Sequence, residues 1–281
     1  MLNINTNNGA IIAAKAAKNA QKQMDQAMER LSTGLKLNSA KDDPGSLSVA
    51  IRMTAEINSL SVSLKNASDA QSAIDTGEAA LAETQSLLLR LRELAVQAST
   101  ETTTSADRAA LNSEVTALET EINRIGNSTT WGGINLLNGS FSKANPIIFQ
   151  IGPNSGDTLS FTMGYVQATS TAAAQGTLGL LSDVTTITKA SAYISTIDGA
   201  ISIVSSRRGS FGAVSNRLDS SITNIRNMRA NILNAKGQIM DTDYAVETAN
   251  LARAQILLQA ATAMLSQANA SKNLTMQLIN N

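Results

Sequence analysis

Apolar residues recur near the start of the chain at Ala13, Ala17, Ala20, Met24, Ala27 and Leu31, in alternating steps of four and three. That rhythm is a heptad seam and predicts an amphipathic helix ending near Gly34. Asn38 to Gly45 reads as a connector, because Asp and Ser cap helices and Pro is tolerated in a first turn. A second helix is expected from about Pro44. It carries Met53, Ile57, Leu60, Leu64 and Ala67 in the same rhythm, then drifts to Gly77, Ala80, Thr84, Leu87, Leu91, Leu94 and Ala98. Such drift suits a long, supercoiled rod. No further Pro interrupts it before Thr100, and at about 1.5 Å per residue it would run roughly 80 Å.

After Thr102 to Ser105, a third helix places Leu111, Val115, Leu118, Ile122 and Ile125 on one stripe and should fold back antiparallel on the second. From Gly126 the pattern changes to Gly, Asn, Pro and short apolar runs. Asn138-Gly139 fits a two-residue turn, and Ile147 to Ile151 and Leu159 to Met163 fit strands. Gln167 to Gly179 is rich in Ala, Thr, Ser and Gly and carries no period that assigns it. Helical spacing returns at Ala190, Ile194, Ile197, Ile201 and Val204 and continues through Leu218, Ile222, Ile225 and Ile232. It closes on a stripe of Ala254, Leu257, Ala261, Met264 and Ala268. The expected fold is mainly α: a long antiparallel helical bundle or coiled coil from the N- and C-terminal segments, with a small central β-hairpin region.

Composition sharpens this picture. Only 3% of the 281 residues are aromatic against 43% hydrophobic, so burial falls to Ala, Leu, Ile, Val and the 9 Met, which favours close helix packing. The 22 basic and 22 acidic residues cancel, leaving no global field for nucleic acid or an anionic membrane, and near-neutral surfaces tolerate self-association. No Cys and no His are present, which removes disulfides, thiolate nucleophiles, imidazole bases and most transition-metal ligands. No cofactor is implied. Met1 to Asn8 has no basic region and Ala10 to Ala14 is short, so export, if it occurs, is expected without a cleaved signal peptide.

The candidate chemistry is thin. Asp42 and Asp43 are paired carboxylates in name, but adjacent residues rarely converge on one reacting atom, and capping duty is the expected role. Arg207-Arg208-Gly209-Ser210 lacks the second Gly and the Lys of a phosphate loop, so ion pairing is expected. Met24, Met53 and Met264 lie on helical stripes and read as adaptable core filler. Asn66, Asn127 and Asn138 begin Asn-Xaa-Ser/Thr triplets, which arise easily in a chain rich in these residues.

Longer stretches carry a resemblance. Glu29-Arg30-Leu31-Ser32-Thr33-Gly34-Leu35-Lys36-Leu37-Asn38-Ser39-Ala40-Lys41-Asp42-Asp43 is similar to the N-terminal signature of bacterial flagellins, and Leu91-Arg92-Glu93-Leu94-Ala95-Val96-Gln97 to their next characteristic segment. Trp131 to Gly139 and Phe149-Gln150-Ile151-Gly152 resemble the turns and strands that follow the third helix of the family. Asp243-Tyr244-Ala245, Glu247-Thr248, Ala254-Gln255-Ile256-Leu257 and Ala268-Asn269 resemble its C-terminal region. Pro44, Leu258 and the ending Gln277 to Asn281 depart from the usual pattern, and the Asp-Asp-Pro step is shared with hook-filament junction proteins, the alternative reading.

The resemblance implies a secreted, extracellular subunit of the flagellar filament. Residues 1–44 and 235–281 would form an inner-tube helical domain, 45–125 and 186–234 a helical rod, and 126–185 a compact β- and turn-rich insert with no room for large outer domains. Its partners would be further copies of itself, the flagellar export apparatus, an export chaperone, and junction and cap proteins, with no nucleic acid and no membrane. Subunit packing is expected along Ala13, Ala17, Ala20, Met24, Ala27, Leu31, Ala254, Leu257, Ala261, Met264 and Ala268. Such Ala-rich faces bury little surface alone, so the termini are expected to be marginal in the monomer and ordered on assembly. Arg90, Leu94 and Glu114 match positions engaged by the flagellin-sensing Toll-like receptor; the competing reading is a solvated polar face beside a core stripe. An enzyme has no visible nucleophile or base, and a generic coiled-coil binding module does not account for the match at both ends.

Overall fold

The computed structural model describes residues 6–141, 145–168, 178–180 and 183–279, with backbone alone for 273–279. Among the described residues there are five helices: α1 (Asn8–Thr33), α2 (Pro44–Ala98), α3 (Ser105–Ser128), α4 (Ile187–Met240) and α5 (Tyr244–Ile279). Four short strands lie between α3 and α4: β1 (Thr130–Trp131), β2 (Ile134–Asn135), β3 (Ile147–Gln150) and β4 (Thr158–Phe161). They form two antiparallel pairs, β1–β2 and β3–β4. The mainly α architecture with a small β region matches the pattern of the sequence. Residues 169–177 of the unassigned stretch lie outside the described residues.

Local chemistry sets the helix boundaries. The Asn7 side chain accepts from Ala10 N at 3.1 Å to start α1, and Gly34 stops it in the left-handed region at φ 72. Asp43 accepts from Gly45 N and Ser46 N at 3.0 and 3.1 Å, with Pro44 in the first turn of α2. Thr104 and Asp107 close a capping box on α3, and Asp243 accepts from Ala245 N at 2.8 Å ahead of α5. Asp43 thus caps α2, whereas Asp42 serves the connector, accepting from Asn38 N and Ser39 N at 3.1 and 3.0 Å. The Ser39 amide lowers the Asp42 carboxyl and the Ser46 hydroxyl that of Asp43, the reverse of what a proton donor needs.

The chain divides into two compact units, Met1–Ile57 with Ala230–Asn281, and Asn58–Arg229. The division falls inside α2 and α4, and the 126–185 segment lies within the second unit. It joins the second unit because Leu136, Leu137, Leu159, Phe161 and Met163 are buried in the same core as Leu81, Leu88 and Leu91 of α2, Val115 and Ile122 of α3, and Ile197 and Phe211 of α4.

Polar contacts fix the helix directions in this second unit. Arg92 meets Asp198 at 2.7 Å, Arg208 meets Glu78 at 2.7 Å, and Gln71 meets Ser215 at 2.7 Å, so α2 and α4 run antiparallel. Asn112 accepts from Val184 N at 3.0 Å and Glu119 accepts from the Tyr193 hydroxyl, so α3 runs parallel to α4. The third helix therefore returns antiparallel to α2, as its stripe requires. Arg207 and Arg208 serve structure here: Arg207 donates to Tyr165 O, and Arg208 also donates to Gln85 at 2.6 Å. Asn66 is likewise tied to the hairpin, donating to Gln150 O at 3.0 Å.

Two details of the β region differ from expectation. The Asn138-Gly139 step is not a hairpin turn between strands; Asn138 bridges Tyr165, and Gly139, at φ 86, packs beneath the Tyr165 ring. The tight hairpin instead turns on Gly132 and Gly133, at φ 57 and 83, which joins β1 to β2.

Candidate assembly surface

In the first unit α1 and α5 pack antiparallel. Asn7 Nδ2 donates to Ala268 O at 3.1 Å at one end, and Arg30 lies 3.8 Å from Glu247 at the other. A short bridge reinforces the second end: Lys36 N donates to Met240 O at 2.6 Å and Thr242 N to Gly34 O at 3.0 Å. Between these ties, Ala13, Ala20 and Ala27 of α1 and Ala254 and Ala261 of α5 are buried, while Ala17, Met24, Leu31 and Ala268 are half-buried. Small residues at heptad spacing let the two backbones approach closely.

This arrangement divides the α5 stripe into a part that faces α1 and a part left open. Ala254, Ala261 and Ala268 face α1, but the positions between them are Leu258 and Leu265, both half-buried, whereas Leu257 and Met264 are 47% and 64% exposed. At about 100° per residue, Leu257 and Met264 sit roughly 60–80° to one side of the in-chain seam. Met264 is therefore not core filler, unlike the half-buried Met24 and Met53. The alanines expected to pack between subunits are already covered by the chain's own partner helix.

What the seam leaves open is a groove along its flank. It has a volume of about 520 Å³ against roughly 30 Å³ for one water, so it has room for several side chains. Ile12 and Ala16 line it from α1, and Leu257, Ala260 and Met264 from α5, with Gln267 and Ser271 toward one end. Ile12 is 69% exposed. A contiguous apolar strip of this kind is uncommon on a surface that stays in water.

The second candidate surface lies on the other unit. Arg90 donates to Glu114 at 2.9 Å and to Glu93 at 3.1 Å, joining α2 to α3 across an exposed face. Leu94 does not belong to that face. It is 2% exposed and part of the core, as the helical period of its neighbours requires, so the accessible part of the set is Arg90 and Glu114. Periodicity gave no sign that Arg90 and Glu114 would pair, since they sit on different helices.

Among the described residues no group of three or more His, Cys, Asp or Glu is placed to hold a metal ion, and no helix is long and apolar enough to cross a membrane. The geometry is that of a paired-helix unit with an apolar flank.

Comparison with known proteins gives the class its family. Residues 4–142 match the bacterial flagellin N-terminal helical region and residues 194–279 the bacterial flagellin C-terminal helical region. Flagellin B of Vibrio cholerae serotype O1 is 30% identical over 376 aligned positions, covering 99% of both chains. A flagellin of Halalkalibacterium halodurans is 38% identical over 257 residues, covering 92% of both. A putative flagellar hook-associated protein from Vibrio parahaemolyticus superimposes with a TM-score of 0.60 at 14% identity, covering 71% of this chain and 100% of that one, a likeness of fold alone. The chain belongs to the bacterial flagellin family, a family of structural proteins. It is a compact, 281-residue filament subunit, polymerising with its own kind into an extracellular flagellar filament.

Proposed function

We propose that polymerisation seats a helix of a neighbouring copy in the groove beside the α1–α5 seam, with Ile12, Leu257 and Met264 as the side chains it covers. The observation that carries this reading is their exposure, 69%, 47% and 64%, together along one apolar groove on the flank of the α1–α5 pair. The Ala seam then acts indirectly, by fixing the flank that the neighbour meets. Such a contact joins two different surfaces and repeats without closing, which generates a filament.

In this reading residues 1–44 and 235–281 form the inner-tube domain, 45–125 and 186–234 a helical rod domain, and 126–185 a compact insert. Family membership extends the list of partners to the flagellar export apparatus, an export chaperone, and junction and cap proteins. A receptor contact on α2 and α3 would rest on Arg90 and Glu114, with Leu94 supporting them from the core; receptor binding by Arg90→Ala with unchanged affinity would remove it.

Seeded growth tests the central reading. Ile12→Glu places a charge on an exposed position, so the chain should fold, yet elongation from filament fragments, followed by electron microscopy, should cease. Filaments of normal length from this variant would exclude the groove as the assembly surface.

A further inference from the structure

Among the methionines whose side chains are described, Met264 alone combines two properties. It is 64% exposed, and it lines the apolar groove. Met163 is buried, Met24, Met53 and Met240 are half-buried, and Met28 and Met228, though 53% and 41% exposed, lie outside the groove lining. Thioether oxidation follows exposure, and it converts a flexible apolar side chain into a polar one.

We propose that Met264 is an oxidation site that gates entry of the free subunit into the filament, an inference that rests on the groove being the assembly surface. Hydrogen peroxide supplies the oxygen. A sulfur lone pair of Met264 attacks one peroxide oxygen, the O–O bond breaks, and the sulfur–oxygen bond of a sulfoxide forms. Sulfur loses two electrons, and the departing hydroxide takes the remaining proton to leave as water.

The product carries a strong acceptor into a groove lined mostly by apolar side chains, Ile12, Ala16, Leu257 and Ala260 among them, with side-chain donors only at Gln267 and Ser271 toward one end. Covering that acceptor with a neighbour's apolar face costs on the order of a tenfold or greater loss in association. Once a subunit is assembled, the same face is covered and the sulfur is shielded, so the filament resists the oxidant that disables its free subunits.

The experiment uses the full chain. Free subunits of wild type, Met264→Leu and Met264→Gln are treated with hydrogen peroxide or left untreated, and cleared of oxidant. Sulfoxide is mapped by peptide mass and elongation is followed on untreated filament fragments. Treated wild type should gain one oxygen at Met264 and elongate at least about tenfold more slowly, a loss set by the unsatisfied acceptor. Met264→Leu, which keeps volume and apolarity but cannot form a sulfoxide, should elongate equally with and without peroxide. Untreated Met264→Gln should be slow.

Treated wild type that carries the sulfoxide at Met264 and elongates normally overturns the inference, as does a Met264→Leu chain slowed by peroxide as strongly as wild type. The two failures separate cleanly. Slow Met264→Gln with unaffected oxidised wild type removes the oxidation gate alone, whereas normal growth of both Met264→Gln and oxidised wild type removes the groove reading beneath it.

Discussion

The Tyr193 hydroxyl of α4 donates to the Glu119 carboxylate of α3 within the protein interior, where the two residues are 3% and 5% exposed. Burial, then the Glu119 hydrogen bond, then its charge push the Tyr193 phenol well above its ordinary value of 10.0. A buried carboxylate needs such a partner, and α3 is pinned to α4 at this point. Tyr193→Phe should lower the stability of the 58–229 unit by about 1–3 kcal/mol, read from denaturant unfolding.

The same pair sets an alkaline limit. The folded phenol titrates above the unfolded one, so its contribution is fully present below about pH 10 and declines as pH rises through the unfolded value toward the folded one. Wild type should lose stability more steeply than Tyr193→Phe above pH 10 in thermal unfolding. Parallel profiles would contradict the buried pair.

Gly126 marks where the helical pattern ends in the sequence, and the structure gives it a second, steric role. A Cβ built there would lie 1.9 Å from Val166 O, closer than any side chain tolerates. Val166 is itself fixed by donating to Leu137 O at 3.0 Å. Gly126→Ala should therefore cost about 1–3 kcal/mol or more through backbone displacement, whereas Gly209→Ala on α4, with open space around it, should be close to neutral or stabilising. Equal melting temperatures for the two variants would contradict this packing.

Asp183 holds the chain just ahead of α4. Lys189, the Thr185 hydroxyl and the Thr185 amide together lower its carboxyl to about 2 from the ordinary 3.8. Because the folded value is depressed, the stabilisation is present above about pH 3.8 and is lost as pH falls toward 2. Lys189→Gln removes the largest cause, and an NMR titration should show the Asp183 carboxyl moving up toward 3.8. An unchanged midpoint would mean that the Lys189 contact does not form in solution.

The heptads of α1, α2 and α3 are legible in the sequence because apolar residues recur in four-three steps along each of them. The stripe of α5 is not. Leu257 is followed by Leu258 and Met264 by Leu265, so periodicity alone does not choose which member of each pair turns inward. Only the position of α1 decides, and it selects Leu258 and Leu265. The groove was hidden for the same reason, since it is made from the members not chosen. The β1–β2 hairpin has two-residue strands, too short to show alternation, although Gly132-Gly133 carried its turn signal. Tyr193 and Glu119 lie on separate helices, and no spacing rule joins them. The resemblance named the region of Arg90 and Glu114, while the helical period already placed Leu94 inside.

On the proposed assembly surface the groove flank is open in the subunit and covered in the filament, and the absence of native cysteine makes this directly measurable. Leu257→Cys introduces a single thiol at a position 47% exposed in the free chain. Its labelling by a maleimide should be rapid in the monomer and at least about tenfold slower in seeded filaments, as expected when a neighbour excludes solvent from an interface core. Equal labelling rates in monomer and filament would show that the flank stays open to water, and that assembly uses another surface.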